Sequence, residues 1–253
     1  MRLKDKVVIV TGAGSGFGAG IAKLFAAEGA KVIVNDINPA GGERVAGEIA
    51  GAGGRALFVK ADVTRGADWA NLVACALQAF GRLDAIVNNA GWTHRKKPYL
   101  EVTEAEFDKV YAVNVKSVYL SALHALPVFR RQGAGCFVNI ASTAGLRPRP
   151  GLAVYNSSKA AVILLSKSMA AEFGPDRIRV NCVNPVFSPD TSLSAEFAGG
   201  ALTPEVRAAY LGTIPLGRFP TPQDVANACL YLASDEASFV SGVCIEVDGA
   251  RCV

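Results

Sequence analysis

An α/β fold is predicted for this chain: a doubly wound, seven-stranded parallel sheet with helices on both faces, in a single domain over residues 1–253. Three observations carry the prediction. Short β-branched runs alternate with longer amphipathic segments from end to end. The strand candidates are continuously apolar, as suits strands covered on both faces, and the helical stretches between them are long enough for crossover connections. No internal repeat, low-complexity tract or interdomain linker breaks the 253 residues, and α/β domains of that length commonly bury one large core.

The first strand candidate, residues 7–10, runs directly into Thr11-Gly12-Ala13-Gly14-Ser15-Gly16-Phe17-Gly18, with a helix starting near Phe17. Glycines at a strand-to-helix junction allow a tight turn and close approach of the backbone to a pyrophosphate, which then meets the helix N-terminus. Gly12, Ser15, Gly16, Phe17 and Gly18 are therefore candidate dinucleotide-binding residues. Asp36 sits just past the second strand, 31–35. A carboxylate there can accept hydrogen bonds from both ribose hydroxyls and repels a 2′-phosphate. Neither Ser15 nor Ile37 supplies an offsetting positive charge, so NAD(H) is favoured over NADP(H). The competing reading of Asp36 is a solvated turn residue before Asn38-Pro39.

Further strands are expected at 56–59, 85–87, 137–140, 179–183 and 243–247. Residues 188–215, rich in Ser, Gly, Ala and Pro, fit the alternation least and are expected as a short helical insertion, a small lid over a ligand at the carboxyl ends of the strands. Residues 152–173 read as one long helix carrying Tyr155 and Lys159. A spacing of four places both side chains on one helical face. An adjacent ammonium favours the phenolate, so such a tyrosine can act as acid or base near neutral pH. Pairs four apart also arise by chance, and this one gains weight only from its surroundings.

Composition narrows the function classes. A chain 51% hydrophobic and 19% charged is globular rather than disordered, and a scattered net charge of +4 points neither to nucleic acid nor to a membrane surface. No apolar run is long enough to span a bilayer, and the N-terminus enters a strand without a signal-peptide pattern, so a cytoplasmic location is expected. The six cysteines never form C-x-x-C, which argues against zinc and against a redox motif; no metal is expected, and most of the cysteines are read as small buried hydrophobes.

Taken together, the motifs resemble the classical short-chain dehydrogenases/reductases. The resemblance runs through residues 11–18, Asp62-Val63, Asn88-Asn89-Ala90-Gly91, Asn114, Ser142, Tyr155-x-x-x-Lys159, Asn184-Pro185 and Val247-Asp248-Gly249, in order and over essentially the whole chain. It implies a Rossmann-type domain with a catalytic tetrad of Asn114, Ser142, Tyr155 and Lys159. It also implies adenine contacts from Asp62 and Val63, with further cofactor contacts from Ile37, Asn89, Ala90, Gly91, Pro185 and Ser188. Oxidising a secondary alcohol requires removal of the hydroxyl proton as hydride leaves for the nicotinamide. Tyr155 is then the base, Lys159 lowers its pKa and holds the nicotinamide ribose, and Ser142 donates to the substrate oxygen. The family likeness gives Asn114 the task of bending its helix and anchoring a water beside Lys159.

Departures from the family pattern are Phe17 for a small aliphatic residue, Val186 for a glycine, a threonine displaced to Thr191, and Gly249-Ala250 for Gly-Gly, this last expected to matter little. Two basic clusters, His94-Arg95-Lys96-Lys97 and Arg147-Pro148-Arg149, lie near the expected pocket mouth. They read first as solvated loop charge; the sharper expectation is that Arg149 or His94 meets an acidic or polar group of the substrate. Trp92, Leu152, Phe187, Leu193 and Phe197 are candidates for an apolar wall. The leading function is an NAD-dependent dehydrogenase or ketone reductase for a small or medium-sized secondary alcohol, such as a sugar or ring alcohol. A 3-oxoacyl-carrier-protein reductase and a non-catalytic nucleotide sensor are the alternatives. The resemblance further implies a homotetramer, or a homodimer, built through helices at 104–131 and 152–173 and the last strand. Val113, Val118, Leu120, Val162, Leu165 and Met169 serve either that interface or the sheet, and the C-terminal tail is expected near a neighbouring subunit's pocket.

Overall fold

The computed structural model describes residues 1–253. Strands β1 (Val7–Thr11), β2 (Lys31–Asp36), β3 (Arg55–Lys60), β4 (Ala85–Asn88), β5 (Gly135–Ile140), β6 (Ile178–Pro185) and β7 (Cys244–Val247) form one sheet in the order β3-β2-β1-β4-β5-β6-β7. All neighbouring pairs are parallel. Each strand expected from the sequence is present, the last beginning one residue later than expected.

Nine α-helices pack around the sheet: α1 (Gly16–Ala27), α2 (Pro39–Gly51), α3 (Gly66–Phe80), α4 (Glu104–Tyr111), α5 (Ser117–Gln132), α6 (Ala153–Phe173), α7 (Ser194–Ala198), α8 (Pro204–Leu211) and α9 (Pro222–Ala233). Alternation along the strands splits the core between two layers. Val7, Ile9 and Ile33 turn toward α3, α5 and α6, where Trp69, Phe129 and Phe173 are buried. Val8, Val10 and Val34 turn toward α1, α2 and α9, where Phe25, Val45 and Val225 are buried. Continuously apolar strands follow from having a helical layer on each side. The expectation fails at the edges: β3 alternates between exposed and covered positions and β7 is only half-buried, because each has a single neighbour strand.

The helix expected at 104–131 is interrupted. Thr103 and Glu106 form a capping box at the start of α4, with Glu106 Oε2 accepting from Thr103 N at 2.9 Å and Thr103 Oγ1 from Glu106 N at 3.2 Å. The helix then passes through one π turn, Ala112–Lys116, before continuing as α5. The residues at 188–215 fold as α7 and α8 with an aromatic cluster beneath them, in which Phe187 stacks on Tyr210 at 4.1 Å between centroids. Only Cys136, Cys182 and Cys229 are buried; Cys75, Cys244 and Cys252 are half-buried, fewer buried thiols than the sequence suggested. No helix is long and apolar enough to cross a membrane.

Adjacent strands β1 and β4 are not consecutive in sequence, since the chain leaves β3 and crosses over to the far side of β1. Their following loops therefore diverge and open a crevice at the carboxyl ends of the strands, the usual place for a ligand in this architecture.

Candidate active site

The crevice begins at the glycine loop. Gly12 has φ +61°, and a Cβ there would stand 2.9 Å from the Ala90 Cα. A Cβ on Gly18 would fall onto the Gly12 carbonyl, so only glycine lets α1 start this close to β1. Asn89 Nδ2 donates to the carbonyls of Thr11 and Gly12 at 2.8 and 3.1 Å, while Thr11 Oγ1 accepts from the amides of Asn89 and Ala90, both at 3.0 Å. Thr11 thus ties the β1 and β4 loops together. Its signal in the sequence was a hydroxyl at the strand end, easily taken for part of the strand.

Asp36 is held by backbone: its Oδ2 accepts from Gly14 N at 2.8 Å and its Oδ1 from Asn38 N at 2.9 Å. It lines the crevice, and its bond to Asn38 N also closes the turn before Asn38-Pro39. Arg44 was not anticipated. Its Nη2 donates to Gly14 O at 2.9 Å, and its Nη1 pairs at 2.6 Å with Glu48, a carboxylate that Lys23 also engages, so a positive charge does stand beside the loop. Asp62 Oδ1 accepts from Thr64 N and Oγ1 at 2.9 and 2.8 Å, and Trp69 Nε1 fixes the Val63 carbonyl at 3.0 Å.

A cavity of about 560 Å³ runs from Asp36 to Phe197. Every catalytic or cofactor residue anticipated from the sequence lines it except Gly18 and Asn114, which stand one layer behind. Trp92, Leu152, Phe187, Leu193 and Phe197 form its apolar wall, joined by Val186, and Arg149 lines it too. Val186 continues the β6–β7 pairing, its amide donating to Val247 O at 3.2 Å, so valine in place of glycine leaves the backbone strand-like. Ser188 is buried, and its carbonyl accepts from Thr191 Oγ1 at 3.1 Å. Thr191 also lines the cavity and reaches the glycine loop, closer to the site than its displaced position suggested.

Tyr155 and Lys159 project from the first turns of α6. Lys159 Nζ donates to Ile140 O at 2.9 Å and lies 5.8 Å from the centre of the Tyr155 ring. A Cβ on Gly91 would stand 3.5 Å from both Lys159 Nζ and Asn114 Oδ1, so these groups converge. Asn114 sits at the π turn and is buried; its Oδ1 accepts from Trp92 N at 2.8 Å, and its Nδ2 donates to Trp92 O and Ser158 Oγ, both at 2.9 Å. Ser142 follows β5, its Oγ accepting from Ala144 N at 3.1 Å.

The electrostatics differ from expectation at one point. Burial pushes the Tyr155 hydroxyl up to about 12, against the pull of Ser142 and of the Arg149 charge, and burial brings Lys159 down to about 8. Lowering of the tyrosine by Lys159 is not seen in this structure: the ammonium is turned to the Ile140 carbonyl, and desolvation of the phenol dominates.

The basic clusters separate. Arg95 and Lys96 are exposed, Lys96 at the edge of a second, smaller cavity, and Lys97 pairs with Glu106 at 2.7 Å. His94 is buried with Nδ1 facing Arg95 O at 2.9 Å and is not among the residues lining the cavity. Arg147 is exposed and donates to the Arg251 carbonyl, whereas Arg149 turns inward. The Arg251 side chain is buried against its own chain. Ala250 adopts φ +71°, a left-handed conformation that costs a non-glycine residue about 1 kcal/mol, so the loss of the second glycine is not neutral.

A family profile described as enoyl-(acyl carrier protein) reductase matches residues 12–250. The chain is 53% identical to a 4-formylbenzenesulfonate dehydrogenase of Comamonas testosteroni over 99% of both chains, and 40% identical to a cyclopentanol dehydrogenase of a Comamonas species over 98% of this chain and 97% of that one. Among solved structures, a 3-ketoacyl-(acyl-carrier-protein) reductase from Brucella melitensis complexed with NADH superposes with a TM-score of 0.92 at 43% identity, covering 99% of this chain and 100% of that one. With the fold and crevice already described, these matches show that the chain belongs to the classical short-chain dehydrogenase/reductase family. Its relatives are oxidoreductases acting on alcohol-type or carbonyl substrates.

Proposed function

We propose that this protein is an NAD(H)-dependent oxidoreductase that interconverts a secondary or ring alcohol and its carbonyl partner. The observation that carries the reading is the meeting, in one cavity, of Tyr155, Ser142 and Lys159 at one end and Asp36 at the other. The cradle fits a nicotinamide dinucleotide: at Gly12 and Gly18 a Cβ would strike the opposite wall, and the Asp36 carboxylate is oriented by two amides. When bound, the nicotinamide supplies the hydride acceptor or donor.

The protein's own groups handle the proton. Ser142 Oγ donates to the substrate oxygen and orients it, and Tyr155 Oη takes the hydroxyl proton in oxidation and returns it in reduction. With the hydroxyl at about 12 the phenolate is scarcely populated at neutral pH, and a positive charge beside Tyr155 favours it. Lys159, held at the bottom of the cavity by Ile140 O, is the resident source of that charge, and Asn114 fixes the Trp92 loop above it. The apolar wall around Phe197, 5.0 Å from the Tyr155 ring centre, excludes water and suits a compact ring, in keeping with relatives named for cyclopentanol and for 4-formylbenzenesulfonate. We further assign α7 and α8 as the lid and a homotetramer as the working assembly.

A carrier-protein reductase remains the second reading on one observation: a structural neighbour of that name holds NADH, so nucleotide preference alone does not separate the two. The test is turnover of ring alcohols with NAD+ against reduction of an acetoacetyl thioester with NADH. Tyr155→Phe is expected to abolish alcohol oxidation while NADH still binds, as read by its fluorescence; substantial residual turnover overturns the mechanism.

A further inference from the structure

The α6 end of the crevice holds more positive charge than its reaction requires. Behind the main cavity lies a second one of about 250 Å³, lined by Lys96, Arg149 and Arg251 together with Pro150, Tyr210 and Thr213, and by no acidic side chain. Arg149 and Leu152 line both cavities, so these two side chains are common to their walls.

That guanidinium is under-used. Arg149 Nη2 is buried with no hydrogen-bond partner, and Arg149 forms no salt bridge; its charge lies 4.5 Å over the Tyr210 ring. Arg251 is 5% exposed, its Nε is also buried without a partner, and it too has no carboxylate within reach. The nearby Glu196, whose carbonyl accepts from Lys96 N at 2.9 Å, pairs with neither arginine. A buried Arg251 beside a half-buried Arg149 is costly unless an anion joins them, since burial without a partner forfeits hydration. The backbone that carries Arg149 is fixed, its carbonyl accepting from Asn156 Nδ2 at 2.9 Å one residue after Tyr155.

We propose that Arg149, backed by Arg251 and Lys96, binds a carboxylate or sulfonate at the end of the substrate remote from the reacting carbon. The substrate is then an anionic hydroxy or oxo compound: its ring lies along Phe197 and Leu152, its oxygen meets Ser142 and Tyr155, and its charged end enters the second cavity. A planar fork of donors suits either oxyanion. This rests on the alcohol–carbonyl reading above, and it names the substrate class that the reading leaves open.

The test uses the full chain with NADH and needs no turnover. Benzenesulfonate, benzoate, uncharged benzyl alcohol and inorganic sulfate are titrated by calorimetry at fixed ionic strength into the parent, Arg149→Gln, Arg149→Lys and Arg251→Gln, each checked for folding by its melting curve. At least one aryl anion is expected to bind tenfold or more tighter than benzyl alcohol and than sulfate. Arg149→Gln and Arg251→Gln should each weaken it at least fivefold, and Arg149→Lys, which keeps the charge but not the fork, should fall between the parent and Arg149→Gln. Equal binding of charged and uncharged rings overturns the proposal, as does affinity indifferent to both glutamine variants or sulfate binding as tightly as the aryl anions. Should Arg149→Gln fail to fold, Arg251→Gln and Arg149→Lys still decide. Arginine-dependent anion binding in a protein that oxidises no alcohol would support the anion site and overturn the oxidoreductase reading. Turnover of neutral ring alcohols without such binding would overturn the site alone.

Discussion

Lys159 and Tyr155 share a turn of helix and titrate away from their ordinary values in opposite directions, which fixes how each couples to stability. Between about 8 and 10.5 the unfolded chain holds a proton on Lys159 that the folded chain has released, so stability gains with rising pH across that window. Between 10 and about 12 the folded chain keeps the Tyr155 proton that the unfolded chain loses, and stability falls as pH rises. Lys159→Met is therefore expected to lose the gain between pH 8 and 10.5 and to exceed the parent at pH 7 by on the order of 2 kcal/mol. Urea titrations across pH check this, and parallel pH profiles for the two proteins would refute it. Asp36 is the other decisive single residue. In Asp36→Ser the repulsion of a 2′-phosphate disappears and Arg44 stands within reach of the loop, so kcat/KM for NADP+ should rise at least tenfold relative to NAD+. An unchanged ratio would mean that specificity lies elsewhere.

Among elements, the middle strands are keyed together by polar side chains as well as by their ladder. Asn88 Nδ2 donates to Ser121 Oγ at 2.9 Å and to Asn139 Oδ1 at 2.8 Å, and Asn139 Nδ2 donates to Ser166 Oγ at 2.7 Å, so a buried chain runs from α5 across β4 and β5 to α6. Such a chain aligns the helix that carries Tyr155 with the strand that leads to Ser142. Asn139→Ala strands donors and acceptors on both sides and should destabilise by about 2–3 kcal/mol, measured by urea unfolding. A loss below about 0.5 kcal/mol would show that water replaces the amide. This network was invisible in the sequence, where Asn88 entered only through the Asn88-Asn89-Ala90-Gly91 motif and Asn139 was one residue of the strand expected at 137–140. The strands were legible because both faces are covered; the π turn was not, because Ala112–Lys116 keeps helical composition and only its hydrogen-bond register changes.

For the molecule as a whole, the six apolar residues left open between interface and sheet fall on the sheet side. Val118, Leu120, Val162 and Met169 are buried in the core, and Val113 and Leu165 pack against it. The outward faces of the same helices instead show Tyr119, Leu123 and Leu164 at 56%, 50% and 66% exposure, an apolar surface that a second copy of the chain can cover. Sedimentation is expected to give an oligomer that Leu164→Glu shifts toward monomer; a monomeric parent would reject the assembly. The motifs made the nucleotide end of the crevice legible, since its contacts are made by backbone and by glycines at fixed spacing. The substrate end was legible only in type: that Arg149 turns inward while Arg147 turns out depends on how the loop after β5 meets α6, which no local pattern encodes. The π turn at Asn114 has a further consequence, for tolerance of length change. It is a helix carrying one residue more than α geometry needs, so deleting a single residue there would leave an unbroken helix whose halves keep nearly the same rotational phase, and only the widened turn that presents Asn114 would be lost. Helical content would survive such a deletion while Asn114 parted from the Trp92 loop, so chain length at this point is under tighter constraint from the active site than from the fold.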